Sequence, residues 1–402
     1  MTQCSPISVP QPDESTRDWP IQTCVLLQAL RVALGTAPPE LVWPPELAVD
    51  EFLAGVERHR VGAFLHQQVP AAARAQWPVR AQEKLAAAAR HSAHRALLQS
   101  VELVRVARQF AAAKTPFLSV KGPLLARALY GDAGARHAGD LDLLVASEQL
   151  ADADTVLRTA GCRRTSPDFD LTARQWREFQ QMKNDFEFIH EGSGLRIEVG
   201  WRLAGLSGLK FAEARTAGTR TVLGGEEIFR LPPETEFLYL FTHGAGHGWF
   251  RLFWLVDVAL LLTRTTVDWP RLMAAAREHG AEAAVWQGGR LAEQLFGVAL
   301  PESLRVPASQ EARVRWLTEE ARRLMLASVT ERAAVGELFR QLRYHACLAA
   351  GWASKTAVLR PRLMSPTNWK MLPLPDRWFA LYHFAAPLLW LRRRLVQNQR
   401  RG

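Results

Sequence analysis

Apolar residues recur at helical spacing from Ile21 to Gly35 and again from Pro45 to Gln68, with Pro38, Pro39, Pro44 and Pro45 punctuating the join. A longer helix is predicted over Val79 to Ala113. The period then changes. Thr115 to Val120 is a β-branched and aromatic run that reads as a buried strand, and Lys121-Gly122 breaks it. Leu124, Leu125, Ala128 and Leu129 restore a helical repeat, with Pro123 suited to the first turn. In Asp140 to Val145 the alternation predicts a strand with Asp140 and Asp142 on one face and Leu141, Leu143 and Val145 in a core. Glu148 to Ala160 follows as a helix closed by Gly161. Asn184 to His190 and Leu195 to Trp201 predict a hairpin across Glu191-Gly192-Ser193-Gly194, and Thr221 to Leu231 one more short strand with Gly224-Gly225 as its turn. From Glu234 the pattern turns helical and stays so, with amphipathic stretches over Val267 to Phe296 and Glu311 to Ala349.

This succession predicts an α+β fold, a mixed sheet with flanking helices. It divides the chain into a mobile leader (1–18), an amino-terminal helical region (19–113), a sheet-bearing core (114–232), a helical domain (233–349) and a basic, aromatic carboxyl-terminal segment (350–402). With 402 residues the chain can bury a substantial core. Its net charge of +10 favours phosphate-rich partners or an anionic membrane surface, although the arginines are spread along the chain. Four cysteines, Cys4, Cys24, Cys162 and Cys347, lie far apart with no metal-type spacing, which makes a reducing cytoplasm the simplest home. The amino terminus has no basic region followed by an apolar core, and no apolar run reaches the length of a membrane span. Trp378 to Leu391, followed by Arg392, Arg393, Arg394, Arg400 and Arg401, is too short to cross a bilayer but suits an interfacial position; docking back onto the helical region is the competing reading.

Two carboxylates side by side repel unless something positive lies between them. Asp140 and Asp142 therefore suggest a hard divalent cation, Mg²⁺ or Mn²⁺, which takes one or two carboxylates together with substrate phosphates. The turn upstream supplies a complement: Gly122 admits close backbone approach, the helix start offers unpaired N–H groups, and Lys121 adds a point charge. Phosphate at the turn and metal at the acids make a nucleoside triphosphate site. D-x-D alone is more often a solvated strand end, and it is the preceding strand, glycine turn and helix that lift this one above chance. Asp185 and Glu187 share a strand face, either as further acids of the site or as partners of Arg196 and Arg202. His91 and His94 read as exposed side chains. His243, His247, Trp254 and Asp257 share one face of a continuous helix, a face open to three readings: a zinc site, core packing, or the lining of a pocket where Asp257 orients a histidine.

The pattern LSVKGPLLARALYGD, then Arg136, then DLDLLV, resembles bacterial nucleotidyltransferases of largely unknown substrate in the DNA polymerase beta-like superfamily. The likeness continues through LRIEVGWRL, HGAGHGW and RLFWLVDVALLL, over roughly residues 20 to 390. It implies a polymerase-beta-like core and a third metal-binding acid at Glu198. Alternation agrees, since Arg196, Glu198 and Gly200 share a face opposite Ile197 and Val199. It also implies nucleotide contacts from Lys121, Gly122, Arg136, His243, His247 and Asp257. The expected reaction is Mg²⁺-dependent transfer of a nucleoside monophosphate from an NTP to an acceptor hydroxyl or phosphate on a peptide, sugar, metabolite or protein. Nucleic acid is disfavoured because no stripe of basic and aromatic residues marks a groove. Relatives usually carry histidine where this chain has Gly200 and lysine where it has Gly246, and the superfamily's glycine-serine pair is Gly122-Pro123 here. Those departures prompt the alternative of a catalytically silent nucleotide-binding or scaffold protein.

Overall fold

The computed structural model describes residues 18–137, 139–206, 208–328, 335–349, 365–386 and 388–389. The leader read at 1–18, apart from its last residue, and the arginines beyond Leu391 lie outside them. Five helices come first: α1 (Ile21–Leu34), α2 (Val49–His59), α3 (Gly62–Gln68), the single turn α4 (Ala71–Arg74) and the long α5 (Val79–Ala112). Arg60, between α2 and α3, takes a left-handed backbone (φ 58°) that turns the chain sharply. His91 and His94 are exposed on α5.

β1 (Phe117–Val120), α6 (Gly122–Tyr130) and β2 (Asp140–Val145) follow, then α7 (Leu150–Thr159), β3 (Cys162–Ser166), α8 (Ala173–Met182), β4 (Asp185–His190), β5 (Arg196–Gly200), α9 (Phe211–Thr216), β6 (Thr219–Leu223) and β7 (Glu226–Arg230). All seven strands form one mixed sheet in the order β3-β4-β5-β2-β1-β7-β6. β1 runs antiparallel to β2, β2 parallel to β5, and β5 antiparallel to β4. This is the α+β core with flanking helices that the sequence leads one to expect. One sheet face packs Leu141, Leu143, Val145, Ile197 and Val199 against α5 and α7, through Leu103, Phe110, Leu150 and Leu157. Leu118, Val120 and Leu144 on the other face join a second core shared by α1–α3 and the helices that come later in the chain. Strand alternation thus puts Asp140 and Asp142, which share the Leu144 face, between the two cores.

Those later helices are α10 (Pro233–Gly246), α11 (Leu252–Arg264), α12 (Trp269–His279), α13 (Glu282–Phe296), α14 (Glu311–Leu326), α15 (Val335–Leu348) and α16 (Pro366–Met371). The continuous helix expected from His243 to Asp257 is not formed. Gly248 (φ 65°) and Trp249 (φ 53°) turn the chain back between α10 and α11. Trp249 is fully buried in a notch floored by Gly244 and Gly288, where an added Cβ would lie 2.2 Å and 2.9 Å from its ring, and it donates through Nε1 to Gln287 Oε1 at 3.1 Å. Helical spacing hid this corner because its apolar residues still fall in phase.

The carboxyl-terminal segment docks, as far as it is described, on the sheet side and not on the helical region. Trp369, Phe379 and Tyr382 are buried in the core cluster that holds Phe179 and Phe186. Asp376 accepts from Thr172 Oγ1 at 2.5 Å, and Arg174 covers the Phe379 ring. Among the described residues no helix is long and apolar enough to cross a membrane.

Candidate active site

The site grows from one strand register. Asp142 of β2 sits beside Val120 of β1 on one side and Glu198 of β5 on the other. Neighbouring residues in a sheet point to the same face, so Asp140, Asp142 and Glu198 come together as expected. Asp185 of β4 pairs with Gly200, where an added Cβ would meet the Asn184 carbonyl oxygen at 3.3 Å. Lys121 ends β1 in a sparsely populated conformation (φ 55°, ψ −128°), and Gly122 (φ 60°) opens α6 directly after it. The bend aims the Lys121 ammonium at Asp142, 3.4 Å away, with the Tyr239 ring 5.3 Å behind.

Arg136 also reaches the cleft, but its guanidinium is fixed from below. Nε donates to Asp257 Oδ1 at 2.9 Å, Nη2 donates to Oδ2 at 2.8 Å, and the Tyr130 hydroxyl donates to Oδ1 at 2.6 Å. The Asp257 side chain is 1 % exposed. The expectation that Asp257 orients a histidine is therefore corrected: the turn at Gly248–Trp249 swings α11 so that Asp257 meets Arg136. His243 and His247 stay together, with ring centroids 4.6 Å apart, and both rings lie against Trp254, His247 stacked at 4.8 Å. They sit on the α10 stripe that begins at Tyr239.

A family model described as uncharacterised nucleotidyltransferase matches residues 45–297, more than half of the chain. The chain belongs to that family. No curated protein and no solved structure matches it. The matched region holds the acids and bases of this site together with Gly200 and Gly246. Of these, Gly246 faces open space, with no atom within 4 Å of an added Cβ. It borders a cavity lined by Glu320, Glu337 and Arg340, so a lysine there would have acidic neighbours from α14 and α15.

Electrostatics give the cleft its character. Burial, with Asp142 and Asp140 close by, pushes the Glu198 carboxyl up to about 9, so at neutral pH it keeps its proton. It shares hydrogen bonds with Asp142 and Asp140. Burial also raises Asp142, and Asp140 raises it further while Lys121 pulls it back. For Lys121 burial works against the charge, but Asp142 and Tyr239 outweigh it and hold the ammonium above its usual range. Burial drives His243 well below the ordinary imidazole range and His247 to about 4, with Lys121 adding to both. Both histidines are neutral at pH 7 and can hydrogen-bond to a ligand without adding charge.

Among the described residues, no group of three or more His, Cys, Asp and Glu side chains is disposed as a metal cage. Lys121 engages Asp142, and the Glu198 carboxyl hydrogen-bonds toward both aspartates. The donor set still fits a divalent cation. Buried carboxyls that hold an extra proton against their own repulsion have the chemistry of a cation site, and Mg²⁺ needs only one or two of them with substrate oxygens. The sign of the resulting pH dependence is fixed. Glu198 is neutral in both states below pH 4.5, its ordinary value; between there and about 9 the unfolded chain ionises while the folded chain does not, so the group's contribution to stability falls as pH rises. Glu198→Gln, which keeps a neutral hydrogen-bonding shape, is expected to raise Tm more at about pH 8.5 than at about pH 5.5 in the absence of metal. Equal shifts at the two pH values would remove Glu198 as the titrating group.

Several residues around the site carried no sequence signal. Arg60 feels the Asp140 charge and lies 5.9 Å from the Phe253 ring, and Arg95 of α5 donates to Gly139 O at 2.7 Å, just before β2. Tyr239 is pushed up to about 12, by burial first and then by Asp142 and Glu198, against the pull of Lys121. Asp185 is raised by burial, with Glu187 and Asp142 adding to it. It thus belongs to the acid cluster. Arg202, the partner considered for it, instead donates to the Lys183 carbonyl at 2.9 Å. The β4–β5 alternation carried a signal for Asp185; Arg60 and Tyr239 arrive only by packing of distant helices.

Proposed function

We propose that the chain is a nucleotidyltransferase that takes an NTP with Mg²⁺ or Mn²⁺ and passes its nucleoside monophosphate to an acceptor hydroxyl. The observation that carries this reading is the register of Asp142 between Val120 and Glu198, which sets the acids one strand from the Lys121-Gly122 turn. Gly122 and the N–H groups that open α6 bind phosphate oxygens, and Lys121 and Arg136 add charge on that side. A bound divalent cation would neutralise the triphosphate and polarise the reacting oxygens. The acceptor oxygen bonds to the α-phosphorus as the bond to the β-phosphate oxygen breaks, pyrophosphate leaves, and the hydroxyl proton passes to a carboxylate of the cluster. Asp257 holds Arg136 in place as a positioning residue. His243 and His247, neutral, hydrogen-bond along the α10 wall. The grouping of Asp140, Asp142 and Glu198 on one sheet face favours an enzyme over a silent binding protein.

Thermal shift with ATP, GTP, CTP and UTP, with and without Mg²⁺, tests the donor side. A nucleotide at 100 times its Kd stabilises by about 2.7 kcal/mol, so at least one is expected to raise Tm, and only with the metal. No shift from any of the four would sink the proposal.

Peripheral membrane contact is a separate reading, favoured by Trp378, Leu381, Phe384 and Leu388, which are exposed at helix-like spacing just before the arginine-rich end. The full chain is expected to float with anionic vesicles and a chain truncated at Leu372 to stay behind. Equal flotation of the two removes the reading.

A further inference from the structure

A cavity of about 640 Å³ opens at the carboxyl ends of β2 and β5, between α8 and the loop that leads to α9. Its size is that of a small-molecule site. Leu144 lines it, two residues beyond Asp142 on the same strand face, so the cavity begins about 7 Å from the acids at the rise of a β-strand. On β5 the residue that follows Glu198 on that face is Gly200, the last of the strand, which contributes no side chain between the acids and the cavity. The Lys121-Gly122 turn lies on the β1 side of β2, while Arg202 and α8 lie on the β5 side. A triphosphate held at the turn therefore leaves this cavity to the other substrate.

The lining has a definite chemistry. Arg177 and Arg202 are the cations; Arg177 is exposed and makes no ion pair or hydrogen bond among the described residues. Arg202 is pre-set: one terminal nitrogen donates to the carbonyls of Gln180 and Lys183, which leaves Nε and the other terminal nitrogen for a ligand, and burial lowers its affinity for the proton with no carboxylate to restore it. Glu148 is the one acid of the lining, and its carboxylate accepts from Ser147 Oγ at 2.7 Å. Leu206, Leu209 and Phe211 make an apolar wall. We infer that this cavity is the acceptor site and that the acceptor is a small molecule with a phosphate or carboxylate on an apolar, ring-sized body. The inference rests on the nucleotidyl-transfer reading, since it names the second substrate of that site.

The test uses 1-naphthyl phosphate, 1-naphthoate, 1-naphthol and inorganic phosphate as probes of the full chain, followed by fluorescence or calorimetry. The two naphthyl anions are expected to bind more tightly than 1-naphthol or inorganic phosphate, and whichever anion is preferred assigns the acceptor's charged group. Arg177→Gln with Arg202→Gln is expected to weaken the preferred anion by about tenfold or more, while the Mg²⁺-dependent nucleotide shift stays at its parent value. Arg177→Gln alone, at an exposed residue, keeps the test open if loss of Arg202 unsettles the loop after β5. Undiminished binding in both variants, equal binding of 1-naphthol, or abolition of 1-naphthyl phosphate binding by Lys121→Met would overturn the assignment, the last because the probe would then sit at the triphosphate turn. If no nucleotide shifts the parent protein but the arginine-dependent binding persists, the transfer reading fails and the anion site stands.

Discussion

Asp257→Ala is expected to destabilise the protein by about 3–5 kcal/mol, the range for removing one partner of a buried ion pair. Arg136, 5 % exposed, would keep its charge without the carboxylate that hydrogen-bonds it, and the Tyr130 hydroxyl would lose its acceptor. Both donors are buried, so water cannot take over. Urea unfolding of the parent and the variant measures the loss. The decisive control is Asp257→Leu combined with Arg136→Met, which removes the charge and its partner together and should recover most of the stability. A loss below about 1 kcal/mol in the single variant, as for an exposed pair, would mean that Arg136 has another anchor. The same variant should weaken nucleotide binding, because a guanidinium released from Asp257 no longer points into the cleft.

Asp142→Asn is expected to have the largest effect on turnover, with a small one on stability. Stabilisation of transferring charge at such a centre amounts to several kcal/mol, and each 1.4 kcal/mol is tenfold, so transfer should fall by about 10³-fold or more. The fold responds differently. The substitution takes a counter-charge from Lys121, but it also removes the Asp142 charge that adds to burial in lifting Glu198 to about 9, and the two changes oppose each other. A nucleotide-labelling assay with an extract of the source cells as acceptor pool, paired with a melting curve, reads both. Labelling that persists within tenfold of the parent would contradict the assignment of Asp142.

The acid constellation was legible in the sequence because it is local. β1, the Lys121-Gly122 turn, α6 and β2 lie within 29 residues, Phe117 to Val145, and strand alternation alone assigned the faces of Asp140, Asp142 and Glu198. The hairpin turn at Glu191–Gly194 fixed the register that sets Glu187 beside Glu198. The partner of Asp257 was not legible. Helical spacing joined it to His243 and His247, and only the reversal at Gly248–Trp249, a positive φ at a tryptophan, separates them. Gly244 in the HGAGHGW run is the trace of that corner, but its meaning depends on Trp249 reaching back over it and on Gly288 some forty residues later. Arg60 and Tyr239 were out of reach for the same reason: nothing in their neighbourhoods encodes a carboxylate from another element. The partition of the carboxyl-terminal segment between the helical region and the sheet was likewise a matter of which apolar surface lay closer.

The backbone at Lys121 has a consequence for how variants of this chain should be judged. A glycine would adopt φ 55° freely, whereas a side-chain-bearing residue holds it at an expense of about 1–3 kcal/mol. Removing the side chain would relieve that strain but leave buried Asp142 without the ammonium 3.4 Å away, a loss of about 3–5 kcal/mol that outweighs the relief. Durability and the proposed phosphate contact therefore favour the same side chain at this strained position.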